Sequence, residues 1–405
     1  MFALNIMLAR WTSAEEYGVF AVLFSVFLIL AGIHNALIVD PMTVYGSQKS
    51  SVNASRYVSR VYVLHFLVAS GVGLAASLVA FLFDNEAFSH ARWALPIAAP
   101  IMLTFWATRR WFYVIGKPRR ALAMSASYAL LMTAGLVFLR WTDQLSSYSA
   151  LILLAGCALL VSIVPVVRGV AGIRFQARGA INSTVIQHWK YGRWALGESI
   201  VFALGTSVYP LLIAFFGGAA NAGAFRALQI IFLPLTQILI SGGLLLLPWL
   251  ARSRINVSDA EFSKHAWTVI VIFTGAAILY LFPVLGWAET IVRLLYDNVE
   301  YLRLVWLIPY LGLVAFLAAI SAALMLILKA AERPDLVFVS TAATCIVTLT
   351  IGTALVANFG LAGIAMALVS STMVGTLLLA WNGLRYIHAV RSKQHGQAIR
   401  DNASA

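Results

Sequence analysis

The sequence predicts an all-α polytopic membrane protein built as two six-helix lobes, and three observations carry that prediction. Hydrophobic residues make up 61% of the chain and charged residues only 11%, too little polar surface to cover a soluble globule of this length. Charge-free windows of roughly 20 residues recur throughout, each able to cross about 30 Å of hydrocarbon as a helix whose backbone groups are satisfied internally. The chain also repeats itself: FDNEAFSHARWALP, Phe83 to Pro96, aligns without a gap on YDNVEYLRLVWLIP, Tyr296 to Pro309, 213 residues further on.

Within that repeat Asp84/Asp297, Asn85/Asn298, Trp93/Trp306 and Pro96/Pro309 are identical, and Phe83/Tyr296 and Phe88/Tyr301 are aromatic in both copies. Ala14-x-x-x-Gly18-x-Phe20 recurs as Ala219-x-x-x-Gly223-x-Phe225, with Leu23 and Leu228 in step. A looser echo pairs the Lys117-Pro118 turn with Arg333-Pro334. Periods this long divide a large body in two and lie far beyond the roughly 20 to 50 residues of a solenoid repeat.

The first element, MFALNIMLA, offers nine residues before Arg10, about half a bilayer at about 1.5 Å per residue. It reads as the remainder of a longer first helix with a start placed too late. The alternatives are a short interfacial helix or a signal-peptide core, against which stand the missing basic flank and the recurrence of the Ala14 to Phe20 segment at the second half. Eleven complete spans follow, near residues 17–40, 61–83, 93–115, 121–139, 148–167, 194–216, 223–250, 266–285, 304–328, 336–357 and 360–384. Prolines fall inside several of them, at 96, 100, 210, 234, 283 and 309, and are tolerated where neighbours satisfy the freed carbonyls. Small-residue runs such as Ala69 to Gly73 and Gly217 to Ala220 permit close helix approach. The segment from Arg168 to Arg193 is the longest between helices, and Gly169, Gly172 and Gly179 favour an irregular or amphipathic path there. The expected domains are an N-terminal transmembrane lobe (1–168), a cytoplasmic linker (169–193), a C-terminal transmembrane lobe (194–388) and a cytoplasmic tail (389–405).

Loops after even-numbered helices, with the carboxy tail, hold 22 of the 28 Lys and Arg residues, which places them and both termini in the cytoplasm. Acidic residues lean the other way, with Glu15, Glu16, Asp84, Glu86, Asp143, Glu289, Asp297 and Glu300 outside, leaving a formal +17 on the cytoplasmic face. The basic balance is thus a membrane-topology property that needs no nucleic-acid partner, and the same face attracts anionic lipid headgroups. Six helices per half is an even number, so both copies enter in the same direction, related by an axis along the membrane normal.

No nucleotide-binding G-x-x-x-x-G-K-[ST], H-E-x-x-H, C-x-x-C or Gly-x-Ser-x-Gly pattern occurs, so no nucleotide drive, cofactor, metal or catalytic constellation is indicated. Cys157 and Cys345 lie inside helices and read as small core residues. A membrane glycosyltransferase or polysaccharide polymerase would need substantial outer loops, and every outer loop is short; Asp84 and Asp297 read as turn-forming residues of matching Asp-Asn loops.

Polar residues within the hydrocarbon are the functional candidates. Arg226, one turn into GAFRALQ, either faces a central cavity and binds an anionic head group or snorkels and pairs with a loop acid; Arg10 occupies the corresponding place in the first half. His34 and Asn35 sit mid-helix, with Asp40 just before Pro41: the cluster lines a water-filled path or takes part in ion coupling, or serves helix packing with Asp40 at a broken, interface-level helix end, and His34 and Asn35 join Arg226 and Arg10 as substrate-binding cavity candidates. Glu198 either binds a proton or pairs with Arg193. Asp40 and Glu198 are therefore the ion-coupling candidates, for H+ or Na+. Arg109 and Arg110 close a helix rich in aromatics, as a phosphate mouth or as an ordinary cationic and aromatic belt.

Ser13 to Gly46, SAEEYGVFAVLFSVFLILAGIHNALIVDPMTVYG, resembles the second-helix signature of bacterial polysaccharide and O-antigen flippases of the multidrug/oligosaccharidyl-lipid/polysaccharide (MOP) superfamily. Gly223 to Arg252 resembles the matching helix of their second lobe, and LLYDN with the KAAERP turn resembles later signatures. The resemblance covers nearly the whole chain. It implies a MATE-like parallel duplication of twelve helices in a bacterial inner membrane. The implied activity moves a polyprenyl-diphosphate-linked oligosaccharide by alternating access, with other polysaccharide-assembly proteins as partners. Arg226 and Arg10 best match the cationic cavity positions of that family. A secondary drug or cation antiporter of the same fold is the alternative.

Overall fold

The computed structural model describes residues 2–47, 51–82, 86–171, 178–206, 208–296, 298–331 and 333–403. Their secondary structure is helical. Helix α1 spans Phe2–Trp11. Helix α2, Ala14–His34, starts at Ser13, whose hydroxyl accepts from the Glu16 amide at 3.1 Å, an N-cap that sets Glu15 and Glu16 against the positive end of the helix dipole. The rod then passes through a π turn, Asn35–Val39, into α3, Asp40–Ser47. The helix end considered at Asp40 is therefore absent: the Asp40 amide bonds back to the Asn35 carbonyl and the helix runs on past Pro41.

Helices α4 (Ser51–Leu82), α6 (Ala94–Val114), α7 (Pro118–Trp141) and α8 (Ser147–Ala171) follow, with a four-residue α5, Glu86–Ser89, between the first two. The linker expected over 169–193 is helical wherever it is described, because α9 already runs over Arg178–Thr206; residues 172–177, with Gly172 and Arg174, lie outside the described residues.

Helix α10, Val208–Ile231, turns at Gly218, whose φ of 84° only glycine adopts without strain. That glycine separates the spans expected to end at 216 and to begin at 223. The second of these is interrupted in turn at Phe232, because Pro234 opens α11, Leu233–Asn256, where a missing amide costs nothing.

Helix α12, Asp259–Gly286, carries a capping box of Ser258 and Glu261. Helices α13 (Ala288–Tyr296) and α14 (Val299–Leu302) and a 3-10 turn, Val305–Leu307, lead into α15, Ile308–Ala330. Helix α16, Pro334–Val347, continues through a second π turn, Thr348–Gly352, into α17, Thr353–Ala403, which turns at Gly360 with φ of 54°. Among the described residues eight stretches are long and apolar enough to cross a membrane, the last of them, Asp335–Tyr386, turning at Gly360. The chain is a multi-pass, all-α membrane protein.

The repeats seen in the sequence have local structural counterparts. The four-residue helices Glu86–Ser89 and Val299–Leu302 are 213 residues apart, Phe88 and Tyr301 are both buried, and Trp93 and Trp306 are 41% and 44% exposed. Lys117 and Arg333 cap their helices with nearly the same backbone, φ −115° and ψ 58° against φ −115° and ψ 55°. Each amide reaches back five residues, Lys117 to the Phe112 carbonyl at 2.7 Å and Arg333 to the Leu328 carbonyl at 2.9 Å, so both turns close the preceding helix as a Schellman motif does.

Contacts divide the chain into two compact units, Met7–Gly223, and Ala224–Ala405 with Met1–Ile6. In the first, α2 is central: every residue from Tyr17 to Phe27 is buried, and it packs on α4, α6, α8 and α9. A helix apolar on all sides belongs in such a position. Tyr17, Phe20, Phe24 and Phe27 stack along it with centroids 5.6 to 6.4 Å apart, ending against Trp106. Helix α7 is peripheral and leaves Leu122, Leu130 and Phe138 exposed. In the second unit α15 packs on α11, α12 and α17 around a core that includes Phe262, Phe273 and Ile327.

Candidate functional site

The π turn Asn35–Val39 is where the polar groups of the first unit gather. A π turn takes an extra residue into the helical ladder and shifts the carbonyls around it, a geometry that recurs at functional sites. Here Pro41 adds to the disturbance, because it has no amide to offer the carbonyl four residues back, Leu37. Helix α9 supplies the partner: His188 Nδ1 lies 3.0 Å from the Leu37 oxygen. It can approach because residue 192 is glycine. A Cβ there would stand 3.0 Å from the Ala36 oxygen and 3.2 Å from the Leu37 Cα.

Three buried histidines surround the turn, His34 from α2, His65 from α4 and His188 from α9. Their hydrogen bonds assign the tautomers in sequence. Thr104 Oγ donates its one proton to the Pro100 carbonyl at 2.8 Å, so it accepts from His65 Nε2–H at 2.9 Å. His65 Nδ1 is then bare and accepts from His34 Nε2–H at 2.8 Å. That leaves His34 Nδ1 as a bare lone pair on a fully buried ring, with no hydrogen-bond partner. At the other end, His188 donates from Nδ1 to Leu37 and accepts from the Tyr57 hydroxyl at 2.7 Å. Alongside, Thr108 donates to the Thr104 carbonyl at 2.7 Å and accepts from Tyr62 at 3.0 Å.

In neutral form the bonds run in one direction, from His34 through His65 to Thr104 and on to the Pro100 carbonyl. A proton taken up at His34 Nδ1 would make that ring a donor at both nitrogens, and transfer of its Nε2 proton to His65 Nδ1 would leave the charge on His65, protonated at both of its nitrogens. A charged imidazole in this interior is costly unless water or a counter-charge reaches it, so protonation and a change of packing around the π turn belong together. Buried polar atoms without partners are few in folded proteins. Two of the four found among the described residues, His34 Nδ1 and Trp111 Nε1, sit in this cluster, where the Trp111 ring stands 5.3 Å from that of Tyr62.

The other candidates fall in different places. Asn35 is the first residue of the π turn and Asp40 the first of α3, both half-buried on the rod that carries His34. Arg10 is exposed in the last turn of α1. Arg226 is half-buried on α10, between the buried Phe225 and Ala227, with Nη1 3.3 Å from Gln229 Oε1; it belongs to the second unit. The Ala227 carbonyl beside it accepts from Tyr296 at 2.7 Å. The Glu198 side chain, Asp84 and Asp297 lie outside the described residues. Arg109 lies 5.9 Å from the Phe105 ring as a cation–π contact. Cys157 and Cys345 are buried free thiols. Among the described residues no group of three or more His, Cys, Asp or Glu side chains is placed to hold a metal.

His65, Thr104, Tyr57, Tyr62 and the partnership of His188 were not identified from sequence. Their only signal is a histidine inside an otherwise apolar run, VLHFLVAS for His65, and which helices face each other is not written in spacing along one helix.

No protein-family model matches the chain, and no curated protein does. Solved structures do. An inward-facing multidrug resistance MATE-family transporter of the MOP superfamily matches at 12% identity over 96% of this chain and 95% of that one, with a TM-score of 0.79. The lipid II flippase MurJ in an inward closed conformation matches at 15% identity over 94% and 84%, with a TM-score of 0.67. A MOP-superfamily transporter from Pyrococcus furiosus, whose binding pocket is described as reversed in polarity, matches at 12% identity over 96% and 92%, with a TM-score of 0.66. The chain therefore has a MATE-like fold.

Proposed function

We propose that the chain is a secondary transporter of the bacterial cytoplasmic membrane, with both termini in the cytoplasm, working by alternating access of two six-helix lobes. The near-complete match to transporters of the same fold supports transport as the activity. The proposed cargo is a polyprenyl-diphosphate-linked oligosaccharide, and residue chemistry supports that choice. Of 15 acidic residues only Asp40 and Glu198 fall within the apolar spans, whereas Arg226 and Arg10 are cationic candidates. A diphosphate wants positive charge in a low-dielectric cleft. Coupling to protons through His34 and His65 fits the hydrogen-bonded pair of imidazoles beside the π turn, either of which can take up a proton. A sodium site would call for several oxygen ligands.

Multidrug or cation antiport is the second reading, and the solved structures weigh toward it: the highest of the TM-scores quoted is to a multidrug MATE transporter, against 0.67 for the lipid II flippase. Against it stands the shortage of membrane-embedded carboxylates that would bind cations. One pair of assays separates the two. An impermeant glycan-binding probe on right-side-out and inverted membranes should show lipid-linked glycan accumulating on the cytoplasmic leaflet without the protein and leaving it on re-expression. Unchanged sidedness, together with proton-driven efflux of a cationic dye from inverted vesicles, would replace the glycan reading with antiport.

A further inference from the structure

A trough of about 660 Å³ lies on the outer face of the first unit, between α6, α7 and α8. Its α7 wall is one face of the helix, Arg120, Met124, Ser127 and Leu131, at spacings that stack residues over successive turns. Its α8 wall is Leu160, Val164 and Arg168 on one face of that helix. The cations are not spread along it: Lys117, Arg120 and Arg168 all sit at one end, and among the described residues no acidic side chain lines any part. From Arg120 to Leu131 the trough runs about 16 Å along the helix axis, about half of the roughly 30 Å hydrocarbon core, so it reaches from one headgroup level to the midplane. Leu131, Leu160 and Val164 are 41%, 67% and 54% exposed, so it opens sideways to lipid. Trp111 and Phe112 flank the cationic end, as aromatics do at headgroup depth. The loop-charge bias assigns that end to the cytoplasm.

We propose that this trough binds one anionic phospholipid of the cytoplasmic leaflet, its phosphate held by Lys117, Arg120 and Arg168 and an acyl chain laid against Met124, Leu131, Leu160 and Val164. Charge complementarity decides the headgroup: three cations with no acid among them discriminate against a zwitterionic lipid. Length decides the rest, since the apolar floor is one leaflet deep. The second unit provides an internal contrast, a trough of about 300 Å³ in whose lining, among the described residues, Lys329 is the single charged one. By the same reasoning that one does not select anionic lipid.

The test uses the full-length purified protein, titrated in neutral detergent with phosphatidylglycerol or phosphatidylcholine of matched chains and read by native mass spectrometry. One phosphatidylglycerol is expected to bind in preference to phosphatidylcholine. Lys117→Gln, Arg120→Gln and Arg168→Gln should each weaken it about fivefold, the worth of one cation near a charged headgroup. Leu160→Trp, which fills the floor without touching the charge, should weaken both lipids, and Lys329→Gln should change nothing. If one of the Gln variants does not fold, the other two and Leu160→Trp still decide. Equal binding of the two lipids, or phosphatidylglycerol binding unaffected by all three Gln substitutions, overturns the site. Displacement of phosphatidylglycerol by an equimolar polyprenyl phosphate would give the trough to cargo and overturn the phospholipid as its occupant.

Discussion

Gly18 and Gly223 meet back to back where α2 crosses α10. A Cβ on Gly18 would fall on the Ala219 carbonyl, and a Cβ on Gly223 would fall on the Ala14 carbonyl and 2.7 Å from the Gly18 amide nitrogen. The contact is reciprocal, and its four residues are the two copies of the Ala-x-x-x-Gly repeat. The duplicated motif packs against its own duplicate. Small residues at such a crossing let backbones touch where the hydrophobic effect offers no drive between helices in lipid.

That contact leaves no room for a side chain. Gly18→Val or Gly223→Val should cost about 3 kcal/mol or more, because the obstructing atoms are backbone and cannot turn aside. Gly275→Ala on α12 meets nothing within 4 Å and should be neutral or stabilising by up to about 1 kcal/mol. Thermal unfolding in detergent, followed by size-exclusion recovery, measures both. Wild-type recovery of Gly18→Val would refute the close crossing.

The histidine relay predicts tautomers. Nitrogen-15 NMR of histidine-labelled protein near neutral pH should show His34 and His65 protonated at Nε2 and His188 at Nδ1. A proton on His65 Nδ1 would break the order derived from Thr104.

Energetic coupling should follow the same bonds. His65→Leu strands the His34 Nε2–H and should cost about 1 to 3 kcal/mol. The double variant His34→Leu/His65→Leu should cost less than the sum of the singles by about 1 kcal/mol, since the second change removes the stranded donor. Strict additivity would mean that the 2.8 Å contact contributes nothing.

His188 holds the π turn to α9. His188→Phe removes the donor of the Leu37 carbonyl and the nearer acceptor of the Tyr57 hydroxyl, which keeps the Pro41 carbonyl at 3.4 Å, and should destabilise by about 2 kcal/mol, whereas Tyr57→Phe removes only one donor and should cost about 1 kcal/mol. Equal thermal shifts for the two variants would show that the Leu37 bond carries no weight.

For transport, Arg226→Ala should impair glycan export with little loss of folded protein, while Asp84→Asn should be nearly silent. Normal export by Arg226→Ala at native expression would remove that residue from the cargo site. Lost export by a stably inserted Asp84→Asn would revive a catalytic role for the Asp-Asn loops.

The sequence by itself determined the solvent, the all-α class and the internal repetition, because each rests on local physics. Apolar runs of bilayer length can satisfy their backbone in lipid only as helices, Pro118 and Pro334 open helices wherever they fall, and the echoes place matching turns at Lys117 and Arg333. It also supplied His34 and Arg226 as polar residues in apolar surroundings. Tertiary structure alone decided what those residues do. His34 sits about two turns before Pro41, yet its bonding depends on His65, 31 residues away, and on Thr104 beyond that; the closure of the π turn by His188, 151 residues from Leu37, depends on α9 lying against that turn at Gly192. Helix periodicity states which residues share a face, and in a chain apolar all round, nearly every face satisfies the membrane equally. The choice of neighbour is then made by close packing and by the few polar groups that must find one another, and neither is readable until the helices are side by side.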